Sequence, residues 1–196
     1  GLNASKADNF FTTTFQDDNL SAQLKIVARL IKASDSLGVT RQVFFVSLGG
    51  FDHHDNLKAA HAGTDGNSGL LKKLNDAMYS FYKATEQLGV ANQVTTFTAS
   101  DFGRTFNTNG DGSDHAWGSH HFVVGGAVKG GDIYGKMPTL VRSGPDDSGT
   151  RGNWIPTTSV DEYSATLATW FGVSATNLPL VLPNIGRFSR ANVGFL

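Results

Sequence analysis

Three short stretches of this 196-residue chain gather residue types that could do chemistry. The first is Gly49-Gly50-Phe51-Asp52-His53-His54. Paired glycines let a chain leave a strand sharply, and an Asp-x-His spacing turns both side chains toward one point if the backbone stays extended. Asp52 and His54 would then offer one hard oxygen and one borderline nitrogen, donors that zinc, manganese or iron accept. The plain alternative is a polar strand end with solvated histidines.

The second stretch is Ser100-Asp101-Phe102-Gly103-Arg104-Thr105. Asp101 could hold a metal where a strand ends, while the Arg104 guanidinium grips an anionic substrate in two-pronged fashion. The alternative is a structural Asp–Arg pair that fixes the turn. Ser100 is a weak nucleophile candidate, because the chain contains no Gly-x-Ser-x-Gly elbow.

The third and richest stretch is Gly112-Ser113-Asp114-His115-Ala116-Trp117-Gly118-Ser119-His120-His121. Asp114, His115 and His120 are its candidate metal donors. If a strand begins at His120, that residue and His121 point to opposite faces, so at most one of the two is a ligand. All six histidines (His53, His54, His61, His115, His120 and His121) fall in one third of the chain, mostly just after expected strands or in glycine loops. In open α/β sheets ligands bind beyond the carboxyl ends of the strands, where Asp52 and Asp101 would both emerge.

The elements that must position these residues read as an alternation. Leu20, Leu24, Val27 and Ile31 recur at helical steps behind Asp17, Asp18 and Asn19, with Gly38 as a stop. Residues 42–48 are short, β-rich and apolar on both faces, which predicts an interior strand. A second helix is expected from about Ser68 to Leu88, capped by Gly89, and a second strand over 93–99. The two strands should be neighbours in one sheet. Residues 106–119 read as a Gly-, Asn- and Asp-rich loop, followed by short strands at 122–125 and 132–134 around a glycine turn, and 143–153 as a polar loop. Ser159 and Glu162 are spaced as a capping box for a last helix that carries Tyr163, Leu167, Trp170 and Phe171. Helix, strand, helix, strand is the grammar of an α/β fold, here expected as one domain over 1–196.

Bulk properties exclude several classes. Sixteen basic and seventeen acidic residues with no long run of either sign argue against nucleic acid or an anionic membrane as partner. No apolar stretch approaches the roughly 20 residues that span a bilayer. The opening Gly1–Lys6 lacks the form of a signal peptide. With no cysteine, thiolate metal sites, disulfides and a cysteine nucleophile are excluded, while the compartment stays open.

Five ordered motifs resemble a bacterial family, the domain of unknown function numbered 1501, allied to the alkaline phosphatase and sulfatase superfamily. They are Gln23-Leu24 with Ala28-Arg29-Leu30-Ile31; Gly49-Gly50-Phe51-Asp52-x-His54; Ser100 to Thr105 as above; Ser113-Asp114-His115-x-Trp117-Gly118; and Ile155-Pro156-Thr157-Thr158-Ser159-Val160 leading to Trp170-Phe171-Gly172. The resemblance implies an alkaline-phosphatase-like mixed sheet sandwiched by helices, a divalent metal with zinc first and manganese, iron or calcium after it, and export to the periplasm or beyond through a twin-arginine leader. It implies that Asp52, His54 and His115 form one metal site and that Asp101 contributes to a second. It also implies that this chain is the C-terminal half of a longer protein, with the nucleophile in the other half. On that expectation the chain alone is a poor catalyst, and its sheet shows an unfilled or partner-covered edge. The sequence departs from superfamily phosphatases at Phe102, where those enzymes carry a histidine after the aspartate, which puts the second site in question.

Two functions follow as expectations. One is an exported metal-dependent hydrolase of phosphate or sulfate esters, with Arg104 steadying the anion. The other is a non-catalytic exported metal- or glycan-binding protein that keeps the fold. A serine hydrolase built on Ser100, His115 and Asp114 is third, since adjacent Asp and His on one loop rarely reach triad geometry.

Overall fold

The computed structural model describes residues 11–64 and 67–196, so the opening Gly1–Lys6 lies outside the described residues. It is a mixed α/β structure with small two-stranded sheets, and the chain divides into two compact units.

The first unit comprises the described residues up to Phe97, with Asn109–Gly112 and Val124–Ala127. Helix α1 (Asn19–Lys32) starts where the sequence says it should: the Asp18 carboxylate accepts from the Ser21 N–H at 2.9 Å and the Ser21 hydroxyl at 2.8 Å. The first of these satisfies an orphan backbone donor of the first turn. Helix α2 (Leu57–Ala62) is short, and helix α3 (Leu70–Gln87) is long and amphipathic. Between them Gly63–Thr64 (β1) pairs antiparallel with Asn67–Ser68 (β2). Leu20, Leu24, Val27 and Ala28 of α1 meet Ala77, Phe81 and Ala84 of α3 in a core that also takes Phe11.

Residues 42–48 depart from the expectation of an interior strand. Phe44, Val46 and Leu48 pack against the helical core, whereas Val43 and Phe45 are 79% and 93% exposed. The period-two burial is that of extended chain. Yet the segment joins no ladder among the described residues. Ser47 is engaged there, its N–H and C=O both bonded by the Gln23 side-chain amide at 3.0 Å, as a neighbouring peptide group would do. The second expected strand is shorter than 93–99. Ala91–Gln93 forms a 3₁₀ turn, and β3 (Thr95–Phe97) takes β6 (Val123–Gly125) as its neighbour, so the pairing of 42–48 with 93–99 is not made.

The second unit comprises Thr98–Thr108, Ser113–Val123 and Val128–Leu196. Its main sheet lies in the stretch expected to be a loop: β4 (Gly103–Thr108) pairs antiparallel with β5 (Ser113–Ala116). Gly103 is required there, because a Cβ would come within 2.3 Å of the Gly118 carbonyl oxygen. Residues 132–134, expected as a strand, form a bend and irregular chain instead. Helix α4 (Val160–Phe171) opens with the expected capping box. The Ser159 hydroxyl accepts from the Glu162 N–H at 3.1 Å and the Glu162 carboxylate accepts from the Ser159 N–H at 2.8 Å. Ala165 of α4 packs on Leu178 and Ile185 in a small core. No helix among the described residues is long and apolar enough to cross a membrane.

Candidate metal centre

Beyond Leu48 the two glycines turn the chain, and burial alternates over the next four residues. Phe51 and His53 are half-buried, and Asp52 and His54 are exposed. The inward pair is structural. Both rings meet His61 of α2 edge-on, with centroids 5.3 Å (Phe51) and 5.4 Å (His53) from it. The outward pair is the Asp-x-His expected from spacing, and Asp52 Oδ1 stands 3.1 Å from His54 Nε2. The segment 109–112 holds this turn from behind: the Leu57 N–H donates to the Asp111 carbonyl at 3.0 Å. At Gly112 a Cβ would lie 2.0 Å from the His54 carbonyl oxygen, so only glycine fits.

His115 sits on β5 in the second unit, directly across the ladder from Arg104. Its imidazole stacks on the Phe102 ring, centroids 4.3 Å apart and planes 17° from parallel. The Arg104 guanidinium carbon lies 5.7 Å from the centre of that same phenyl ring, and its Nε–H donates to the Ser113 hydroxyl at 3.0 Å, while Nη2 bonds the Ser113 carbonyl. The ladder is irregular between Arg104 and Thr108, and the buried Thr105 hydroxyl bridges the gap. It accepts from the Asp114 N–H at 3.1 Å and donates to the Asn107 carbonyl at 2.9 Å.

The other candidate donors fall differently. Asp101 is exposed in the bend before β4. The Asp114 carboxylate is paired with Arg151. His120 is exposed, and His121 stacks on Tyr163 with its Nδ1 3.3 Å from the Thr98 hydroxyl. Burial, and after it the neighbouring His120, holds the His121 imidazole below its ordinary pKa. Burial pushes the Tyr163 phenol up, and its O–H donates to the Thr98 carbonyl at 3.3 Å. His121 is thus part of the packing around Thr98. Ser100 spends its hydroxyl on the Phe102 carbonyl at 2.9 Å.

Asp52 and His54 in the first unit supply a carboxylate and an imidazole, and His115 in the second supplies another imidazole, all three exposed. This donor set suits a borderline divalent ion with coordination positions left open.

Sequence reasoning missed one buried hub. The Asp147 carboxylate accepts from the backbone N–H groups of Ser143, Gly149, Gly152 and Asn153 at 2.9–3.1 Å. Burial drives its pKa up, but those four donors outweigh it and hold the acid below the usual carboxylate range. The hub shapes the loop that carries Arg151 to Asp114. The signal was present as Pro145-Asp146-Asp147-Ser148-Gly149, an acid among turn residues.

No curated protein and no solved structure matches the chain. Residues 4–149, which include all three candidate ligands, match the family described as "Protein of unknown function (DUF1501)". The chain belongs to that family.

Proposed function

We propose that this chain carries part of an exported metal-dependent hydrolase of phosphate or sulfate esters, with one divalent ion, zinc first, taken by Asp52, His54 and His115. The observation that carries the reading is the Asp52–His54 pair: two donors turned outward after an extended segment while the residues between and before them are packed inward on His61. When bound, such an ion polarises an ester oxygen. Arg104, tethered to Ser113, is the cation assigned to the anionic ester oxygens. Asp101 is a further donor on this reading. An alkaline-phosphatase-like arrangement and a nucleophile supplied by another part of the protein belong to the same proposal, as does a periplasmic or secreted location.

A second reading, an exported metal- or glycan-binding protein without catalysis, is favoured by Phe102, an apolar ring after Asp101, just before β4, where another ligand would serve a two-metal enzyme. A panel of 4-nitrophenyl phosphate and sulfate esters with added zinc or manganese separates them. The hydrolase reading expects metal-dependent turnover that Asp52→Ala abolishes with an unchanged far-UV spectrum. Metal uptake with no turnover of any ester leaves the binding reading standing and removes the first.

A further inference from the structure

We propose that Phe102 is a positioning residue for the metal ligand His115: its ring serves as a plate that fixes the imidazole plane before any ion arrives. This rests on the ligand assignment above and adds to it a residue that donates no electron pair. A histidine side chain has two torsions to fix, and a ligand whose ring must be ordered at binding holds the ion less tightly. Here the imidazole lies nearly parallel to the phenyl ring with centroids 4.3 Å apart, a close stacked contact.

The plate is itself held. The Phe102 carbonyl accepts from Ser100 Oγ at 2.9 Å, and the Arg104 guanidinium carbon lies 5.7 Å from the phenyl centre. Arg104 is in turn fixed by Ser113. Because Arg104 and His115 are cross-strand partners, their side chains leave the same face of the ladder. The phenyl ring therefore meets both a permanent cation and the imidazole. Orientation of a metal-binding histidine is usually the task of a hydrogen-bonded carboxylate or carbonyl, and loss of such support typically costs 10- to 100-fold in metal affinity.

The test is zinc affinity of the full chain by competition with a chromophoric chelator, together with the visible spectrum of the cobalt form and the proton shifts of the metal-free His115 ring. Phe102→Leu should weaken zinc binding by roughly tenfold, change the cobalt spectrum, and remove the ring-current shift of His115. Phe102→Tyr should restore all three. Thr166→Val is the control: it removes a buried hydroxyl on α4 that accepts from the Val193 N–H at 2.8 Å and takes no part in the β4–β5 ladder, so it should lower thermal stability and leave zinc affinity as in wild type. Equal affinity in wild type and Phe102→Leu, or an equal loss in Thr166→Val, overturns the positioning role while the ligand assignment stands. A wild type that takes up no zinc overturns the ligand assignment and this inference with it.

Discussion

The two regions that carry the proposed ligands are built on opposite principles. Residues 42–48, which lead to Asp52 and His54, are held by apolar packing of Phe44, Val46 and Leu48 on helices α1 and α3 and form no ladder among the described residues. The β4–β5 hairpin, which carries His115, has a ladder and little apolar burial. It relies on Thr105, Arg104 and Ser113 bonding across its irregular register. In the first region position is set by what lies beneath the chain, and in the second by what lies beside it.

Substitutions should therefore divide by mechanism. The largest effect is expected under the first region. Phe81→Ala empties a site that is 3% exposed, and by the cost of large-to-small core changes should lose about 3–5 kcal/mol. Phe44→Ala, half-buried over the same core, should lose roughly 2 kcal/mol. Chemical denaturation measures both, and a Phe44→Ala as stable as wild type would mean that the segment does not depend on its platform.

Next comes the hairpin. Thr105→Val should cost about 1–2 kcal/mol, because it leaves the Asp114 N–H without its acceptor in a buried position. A neutral result would show that the ladder alone suffices.

Acid should act on the second unit through Asp147 and Glu162. At Glu162 burial raises the pKa, and the Ser159 N–H, the Arg190 pair and the Ser159 hydroxyl outweigh it, leaving the acid depressed as Asp147 is. A carboxylate with a lowered folded pKa contributes stability above its unfolded pKa of about 4 and loses it as pH falls through the folded value. Melting temperature should thus hold from pH 7 to about pH 5 and fall below about pH 4, and Asp147→Asn should flatten that fall. An unchanged acid profile in the variant would remove Asp147 from the account.

The smallest effect is expected at Phe45, which is 93% exposed. Phe45→Lys should change stability by no more than about 0.5 kcal/mol, and it should improve solubility by charging an unpaired extended segment. A loss near that of Phe44→Ala would mean that its outer face is covered.

The same contrast explains what could be read in advance. Helices α1 and α3 and the capping box of α4 were legible, because apolar periodicity and Asp18, Ser159 and Glu162 are local signals. The Asp52–His54 pair was legible because extended spacing alone turns both residues outward. The β4–β5 hairpin was not. Its strands are built from Gly103, Asn107, Thr108, Ser113 and Asp114, residues of turn propensity whose ladder rests on cross-chain contacts that no local pattern encodes. The exposure of Val43 and Phe45 was hidden for a related reason: an apolar run says that a strand can be covered on both faces, not that it is. The Phe102–His115 stack depends on loop geometry and was likewise out of reach, whereas the Asp147 hub had its signal in an acid among turn residues.

The measurement that bears most directly on the central claim is the metal content of the full chain purified without chelator, set against Asp52→Ala, His54→Ala and His115→Ala prepared in the same way. The account expects the wild type to retain a divalent ion, with zinc the most abundant, near one per chain. Each single variant should fall to a small fraction of that value while keeping its far-UV spectrum. Equal and negligible metal in wild type and His115→Ala, after exposure to zinc and manganese at micromolar concentration, would contradict it.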